Sequence, residues 1–424
     1  MTNPVLWNRK NAKVIFNTML KTIKLTNLLS FGATTEISFN KGLNVLIGAN
    51  GSGKSNLIEA ISLLQAMPKD LGKVIRDGGG IEEWLWKGEK NHSVRIEAII
   101  ENPYDCHEPE YIENSIVYSI REPIEHTLEF RAMDYRIEVI REYIREIVGT
   151  EYGTNKKFFN YYYRLKNNAR DAVINQGVDN RRELDWENIE TNQSILAQRQ
   201  DRDAYPEMAY LSNYYEKIRL YREWQFGRSA APRNLQRADL PNDFLEENTS
   251  NLGLILNSFR RNSEVKRKLL DALKLFNESI YDFDVIIQGG YIQVFFEENS
   301  FSIPASRLSD GTLRYLSLLA ILLHPNPPPL ICIEEPELGL HPDVLPTLID
   351  LLKKAAQKTQ IIITTHSADL IDDLTDMPEA VLVFDKAQGS TTVNRLDRAE
   401  LSDWLKDYRL GQLWRRGELG GNRW

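Results

Sequence analysis

Four short stretches of this 424-residue chain hold residue types suited to phosphate chemistry. Gly48-Ala49-Asn50-Gly51-Ser52-Gly53-Lys54-Ser55 fits G-x-x-x-x-G-K-[ST]. In that pattern backbone N–H groups wrap phosphate oxygens, the lysine neutralises the β/γ oxygens and the hydroxyl ligates Mg2+. Leu330-Ile331-Cys332-Ile333-Glu334-Glu335 is an apolar run ending in two carboxylates, expected on a strand neighbouring the loop. Adjacent strand residues point to opposite sides, so the two acids cannot share one role. Glu334 is assigned to Mg2+, with Ser55 or through water, and Glu335 to polarising the water that attacks a γ-phosphate. Ile361-Ile362-Ile363-Thr364-Thr365-His366-Ser367 places His366 at the C-terminal edge of another buried strand, where ligands of open α/β sheets collect. That position suits sensing of the γ-phosphate. In Leu308-Ser309-Asp310-Gly311-Thr312, a serine and a glycine open an apolar helix and offer donors to an anion. Taken alone, this last stretch is equally a helix cap.

These residues need strands and helices to hold them. Leu43 to Ile47 reads as a strand and Asn56 to Leu64 as a helix, so the glycine loop has the strand–loop–helix setting its chemistry requires. Leu330–Ile333 and Ile361–Ile363 are short isoleucine-rich islands, expected of strands buried on both faces. The helical spacing of Leu345, Leu348, Leu351 and Leu352 lies between them, and Val381–Phe384 forms a further strand. Strand, helix, strand in that order predicts an α/β fold with a parallel sheet. Asp284–Phe296 reads as a hairpin turning at Gly289-Gly290, after an amphipathic helix over Val265–Phe276. The polar, Tyr- and Arg-rich middle predicts helices around Tyr135–Ile147 and Tyr214–Trp224. The expected division is an extension over 1–19, a first lobe over 20–130, an inserted, mainly helical lobe over 131–262, a second lobe over 263–400 and a tail over 401–424.

Composition narrows the classes. With 42% hydrophobic and 26% charged residues, the chain can build a sizeable core. Its net charge of −8 does not advertise a binder of nucleic acid or acidic membrane. Two cysteines, Cys106 and Cys332, argue against a disulfide framework, and His92, His107, His126 and His324 lack metal-ligand spacing. No stretch approaches the ~20 apolar residues of a membrane span, and the N-terminus has no signal-like run. A cytoplasmic protein with no membrane contact is expected.

Together and in this order, the motifs resemble the ABC-type ATPase heads of the SMC, RecF and OLD clan, above all its stand-alone AAA-family ATPases. The residues carrying the likeness are GANGSGKSN (Gly48–Asn56), LSDGTLR (Leu308–Arg314), IEEPELGLHP (Ile333–Pro342) and TTHS (Thr364–Ser367), and the tail Leu410–Trp424 is similar as well. The resemblance implies a P-loop NTPase head with a parallel core sheet, an antiparallel β subdomain and an inserted helical lobe. It implies ATP and Mg2+ as cofactors, with Gly48, Asn50, Gly51, Ser52, Gly53, Lys54, Ser55 and Asn56 binding the nucleotide. It further implies that Lys54, Glu335 and His366 serve hydrolysis, and that Ser309 and Gly311 form a signature contacting ATP on the opposite subunit. A homodimer or higher even oligomer follows, with Gly339-Leu340-His341 at the partner. Two departures stand out: Asp310 occupies a place where a small residue is usual, and no glutamine loop is evident, since Gln65 lies too early. The 58 residues after His366 are too few for the Toprim nuclease of OLD proteins.

Two functional readings follow. In one, ATP closes a homodimer, hydrolysis reopens it, and the change passes to a separately encoded effector, in phage defence or DNA repair. In the other, ATP drives capture of DNA by the strip Lys217, Arg219, Arg222, Arg228, Arg233 and Arg237 with Tyr221, Trp224 and Phe226, seen as salt-sensitive affinity that requires ATP. Glu216, Glu223 and Asp239 dilute the strip, which favours reading it as a solvated helix face over core aromatics. Arg415, Arg416 and Arg423, among Trp414 and Trp424, either pin the C-terminus or meet a partner.

Overall fold

The computed structural model describes residues 19–88, 93–101, 123–147, 159–166, 169–175, 181–183, 189–201, 204–222 and 224–421. The extension up to residue 18, His92, Cys106, His107, Arg423 and Trp424 lie outside the described residues.

The apolar islands form one central sheet. Strands β3 (Leu43–Gly48), β10 (Arg219–Tyr221), β15 (Leu330–Glu334), β16 (Gln360–Thr364), β17 (Val381–Ala387) and β18 (Ser390–Arg395) lie in the order β10-β15-β16-β3-β17-β18, parallel except for β18. Each inner strand sends alternate side chains to opposite cores. Val45, Ile331, Ile363 and Val383 enter one cluster, while Leu46, Cys332, Ile362 and Leu382 enter the other. Burial on both faces is what produces continuous apolar runs rather than alternation.

One face is covered by helix α1 (Lys54–Ala66) and an antiparallel sheet of eight strands. These are β1 (Leu20–Thr26), β2 (Thr35–Ser38), β4 (Val94–Ile100), β5 (Ile124–Met133), β6 (Arg136–Glu146), β7 (Phe159–Lys166), β8 (Ala169–Asn175) and β9 (Arg181–Glu183), in the order β2-β1-β4-β5-β6-β7-β8-β9. Short helices α2 (Leu71–Asp77), α3 (Ile81–Trp84) and α4 (Ile195–Gln198), with α5 (Pro206–Glu216), complete this side. The other face carries α6 (Leu252–Arg260), α7 (Ser263–Phe276), α8 (Asp310–Leu322) and α9 (Leu345–Ala355). It also carries a small antiparallel sheet of β11 (Gln236–Arg237), β12 (Ile280–Gln288), β13 (Tyr291–Glu298) and β14 (Phe301–Pro304). Helices α10 (Ala368–Asp372) and α11 (Leu410–Arg415) close the chain.

The helix predicted at Val265–Phe276 and the hairpin turning at Gly289-Gly290 are present as α7 and β12–β13. The middle differs from expectation. The helix predicted around Tyr135–Ile147 is instead strand β6, paired with β5, although Ile137, Ile140, Ile144 and Ile147 recur at steps of three and four. The chain reverses at Asp134-Tyr135, both at positive φ (48° and 61°), a turn whose twist matches an antiparallel hairpin. The helix predicted over Tyr214–Trp224 ends at Glu216 as α5, and the chain enters β10, which pairs in parallel with β15. A three-residue edge strand is too short to show a period.

A buried polar knot ties the two sides of the middle together. His126 Nε2 lies 3.1 Å from Glu142 and its Nδ1 3.2 Å from the Tyr215 hydroxyl, while Ser194 Oγ donates to the same Glu142 carboxylate at 2.5 Å. Paired in this way, the carboxylate tolerates burial that would otherwise be costly.

Candidate nucleotide site

Three parallel strands end side by side and set the site. Register aligns Glu334 with Thr364, Thr364 with Leu46, and Phe384 with Gly48, so the glycine loop, the acidic pair and the histidine share the C-terminal edge of the sheet. The acidic strand was expected beside the loop; β16 lies between the two.

The loop needs its glycines. A Cβ on Gly48 (φ 148°) would meet the Phe384 carbonyl at 2.3 Å, and one on Gly53 (φ 111°), the N-cap of α1, would meet Thr391 Oγ1 at 2.3 Å. Thr391 clamps the loop from β18, its Oγ1 donating to the Ser52 carbonyl at 2.8 Å and lying 2.7 Å from Ser30 Oγ. Buried Lys54 donates to the carbonyls of Gly48 at 2.8 Å and Ala49 at 3.1 Å. Burial lowers its pKa to about 8, against the pull of Glu335 and Glu334, so both carboxylates act on the ammonium. Asn50, Gly51 and Ser55 are exposed along the loop, Asn56 is half-buried, and the Ser52 hydroxyl is buried without a hydrogen-bond partner.

Glu334 and Glu335 diverge, as adjacent strand residues should. Glu334 is largely buried, and one of its oxygens, Oε1, forms no hydrogen bond. Burial raises its pKa, while Arg222 and the Ser55 hydroxyl hold it down. Glu335 takes left-handed backbone at φ 45°, uncommon for a residue with a side chain, and its N–H donates to the Thr364 carbonyl at 3.1 Å. Its carboxylate lies 3.8 Å from His366 Nε2. Burial, then Lys54, lower the His366 pKa, with Glu335 opposing, which keeps the imidazole neutral at pH 7. The structure therefore brings Lys54, Ser55, Glu334, Glu335 and His366 together.

Among the described residues, Ser309 and Gly311 make no hydrogen bond to that group. Ser309 caps α8, its Oγ accepting from the Thr312 N–H at 3.1 Å and lying 2.7 Å from Thr312 Oγ1. A Cβ on Gly311 would lie 3.1 Å from the Gly339 carbonyl, so the signature adjoins the Gly339-Leu340-His341 loop. Asp310 pairs with Arg233, whose guanidinium also donates to the carbonyls of Leu308 (2.6 Å) and Ser306 (3.0 Å).

Several residues at the site escaped sequence reasoning. Glu337 accepts from Thr365 Oγ1 at 2.6 Å and from the His366 N–H at 3.1 Å, fixing the histidine strand to the acidic loop. Arg314, on α8, donates to the Glu335 carbonyl at 2.7 Å and lies over the Trp224 ring, whose Nε1 donates to the Glu334 carbonyl at 3.3 Å. Arg222 pairs with Glu334 at 3.4 Å and Glu59 at 3.7 Å. These partners lie tens to hundreds of residues away, so no local pattern marks their contacts, although Glu337 and Arg314 sit inside quoted motifs.

The tail pins itself. Arg415 pairs with Asp369 at 2.5 Å, Trp414 is buried, and the Leu410 N–H donates to Thr375 Oγ1 at 3.1 Å. The chain then reaches the glycine loop: a Cβ on Gly421 (φ 68°) would stand 2.9 Å from Val383 Cγ1 and 3.0 Å from Gly48 Cα. Gly421→Val is therefore expected to push on the loop at a cost of about 1–3 kcal/mol. Weaker binding of a fluorescent ATP analogue, with a lowered melting temperature, checks this.

Strand order and site geometry together are those of a P-loop ATPase with an ABC-type head. More particularly, the chain belongs to the AAA_21 family, described as "AAA domain, putative AbiEii toxin, Type IV TA system", whose profile matches residues 43–372, well over half the chain. Among curated relatives, the DNA double-strand break repair Rad50 ATPase of Methanopyrus kandleri is 49% identical over 82 residues, 18% of this chain and 9% of that protein. The chromosome partition protein Smc of Mycobacterium tuberculosis is 32% identical over 101 residues, 23% of this chain and 8% of that protein. The chain thus spans less than a tenth of the length of either. In fold it is similar to an Smc head bound to the C-winged helix domain of ScpA, with a TM-score of 0.54 at 15% identity over 90% of this chain and 99% of that one. The Smc head of Pyrococcus furiosus with an extended coiled coil, bound to the C-terminal domain of ScpA, gives 0.54 at 12% identity over 92% and 99%. Among the described residues no helix is long and apolar enough to cross a membrane.

Proposed function

We propose that this ATPase is a cytoplasmic, Mg2+-dependent molecular switch: two copies close head to tail on ATP, hydrolysis reopens them, and the change is read by a separate effector. The observation that carries the reading is that, among the described residues, the signature side chains make no hydrogen bond to the catalytic group. Ser309 caps a helix beside Gly339, and its side-chain hydrogen bonds among the described residues are all to Thr312, while Lys54, Glu335 and His366 gather around the glycine loop. A second copy supplying Ser309 and Gly311 would complete the site.

The chain's own residues divide the work. Backbone N–H groups from Gly48 to Ser55 and the Lys54 ammonium bind the phosphates. Glu335 takes the proton of the attacking water, and neutral His366 donates toward the γ-phosphate as charge develops. Ser55 and Glu334 would hold Mg2+, which neutralises β/γ oxygens when bound. Glu334 Oε1, which forms no hydrogen bond, and the Ser55 hydroxyl fit that ion. Among the described residues no cluster of three or more His, Cys, Asp or Glu could cage a metal, so the nucleotide and water must complete its shell.

Ser309→Arg tests the shared site. ATP binding by the single chain is expected to persist while hydrolysis and ATP-dependent association are lost, measured by nucleotide titration, phosphate release and sedimentation. Full activity would place a complete site within one chain.

The setting, phage defence or DNA repair, is supported by the toxin system in the family's description and by the repair role in the Rad50 relative's name. The names of the Rad50 and Smc relatives also support the second reading, an ATP-dependent DNA clamp. Such a clamp would need a surface other than the 217–237 strip. Arg222, Arg233 and Arg237 are engaged by acidic side chains, and Tyr221, Trp224 and Phe226 stack on one another.

A further inference from the structure

The Glu334 carboxylate already has a cation beside it. Arg222 follows directly on β10, the neighbour of β15 in the central sheet, and its guanidinium reaches the end of β15 from the side. Its Nε stands 3.4 Å from Glu334 Oε1, and an Nη stands 3.7 Å from Glu59 on α1. The ion pair is not aligned as a hydrogen bond, so Oε1 is buried and accepts none. An arginine so placed neutralises the carboxylates without saturating them, and a small divalent ion with short oxygen contacts has the better claim on Glu334.

We propose that Arg222 is a resident counter-cation for Glu334 that Mg2+ must displace, so that this arginine sets the Mg2+ concentration at which the nucleotide site loads. The inference rests on the reading of Glu334 as a metal-side residue. Two fixed cations cannot both occupy one carboxylate edge without repulsion, so metal arrival drives the guanidinium outward. That movement begins a strap of known anchorage. Two residues on, Trp224 is tied to the Glu334 carbonyl and lies under Arg314; eleven residues on, Arg233 holds the carbonyls of Ser306 and Leu308 and the Asp310 carboxylate of the signature. Release of Arg222 thus frees the end of a strap whose described anchors run from the metal-side acid to the helix expected to serve the partner's nucleotide.

The test is a Mg2+ titration of the full chain at fixed fluorescent ATP analogue in chelator-buffered solution, reading binding rather than turnover. Arg222→Ala is expected to reach half-saturation at a Mg2+ concentration lower by roughly fivefold, the scale of one partly exposed ion pair. Arg222→Lys, which keeps a cation, is expected to stay near wild type. In the absence of nucleotide, Mg2+ alone should raise the melting temperature of Arg222→Ala more than that of wild type. A threshold in Arg222→Ala that is unchanged or higher would overturn the proposal. Glu334→Gln separates the two readings: if it removes the Mg2+ dependence while Arg222→Ala leaves it intact, the counter-cation inference alone fails, and if it too has no effect, the metal assignment fails as well.

Discussion

Glu335→Gln is expected to lower ATP hydrolysis by roughly 100- to 10,000-fold, the range supplied by a positioned general base, while leaving nucleotide binding near wild type. The geometry gives the reason for such a split. The Glu335 carboxylate lies 3.8 Å from His366 and, among the described residues, accepts no hydrogen bond from the loop's phosphate-binding amides, so its contribution falls in the chemical step. Its unusual backbone at φ 45° is held by the Thr364 carbonyl and by Arg314 on its own carbonyl, neither of which involves the side chain. The amide is close in volume to the acid, so the fold should be unchanged. Phosphate release under single-turnover conditions, beside equilibrium binding, checks both halves. Equal losses in binding and turnover would move Glu335 from catalysis to substrate positioning.

Lys54→Met is expected to weaken ATP binding by roughly 100-fold or more, because the ammonium is the one mobile charge inside the glycine loop and its partner oxygens would be left unneutralised. The same change should make the nucleotide-free protein more stable at neutral pH. Burial depresses the folded-state pKa to about 8 from an ordinary 10.5, so a proton held at pH 7 costs folding free energy. The sign follows from proton counting. Between about pH 8 and 10.5 the unfolded chain binds more protons than the folded one, so the wild type gains stability as pH rises through that window. Lys54→Met should lose this slope and gain roughly 1–3 kcal/mol at pH 7, reduced by the two carbonyl hydrogen bonds it forfeits. Thermal unfolding at pH 7 and pH 10 without nucleotide measures it. A destabilised variant at pH 7 would show that those hydrogen bonds outweigh the buried charge.

How far these sites could be read in advance depended on how local their causes are. The glycine loop declared itself because strand, turn and helix fall within about 20 consecutive residues, and because β15 and β16, buried on both faces, must be apolar throughout. The middle hid its strands for an opposite reason. Isoleucines at 137, 140, 144 and 147 mimic a helical stripe, while the deciding feature is a two-residue turn with positive φ at Asp134-Tyr135. Pairing with β5 then overrides the local spacing. The supporting cast was invisible on principle: Thr391 reaches Ser30 and Ser52, Arg222 reaches Glu334, and Gly421 reaches Gly48, all across long stretches of chain. Asp310 is the instructive case. It departs from a small-residue position, and the charge that pairs with it, Arg233, comes from 77 residues upstream.

The central claim is that the site is shared between two copies, and the solution mass of Glu335→Gln with and without MgATP tests it most directly. Removing the base should trap whatever state ATP assembles. A shift to a dimer or higher even assembly only in the presence of MgATP is the predicted result. An unchanged mass, with ATP shown to be bound, would contradict the shared-site account and remove Ser309 and Gly311 from the nucleotide site.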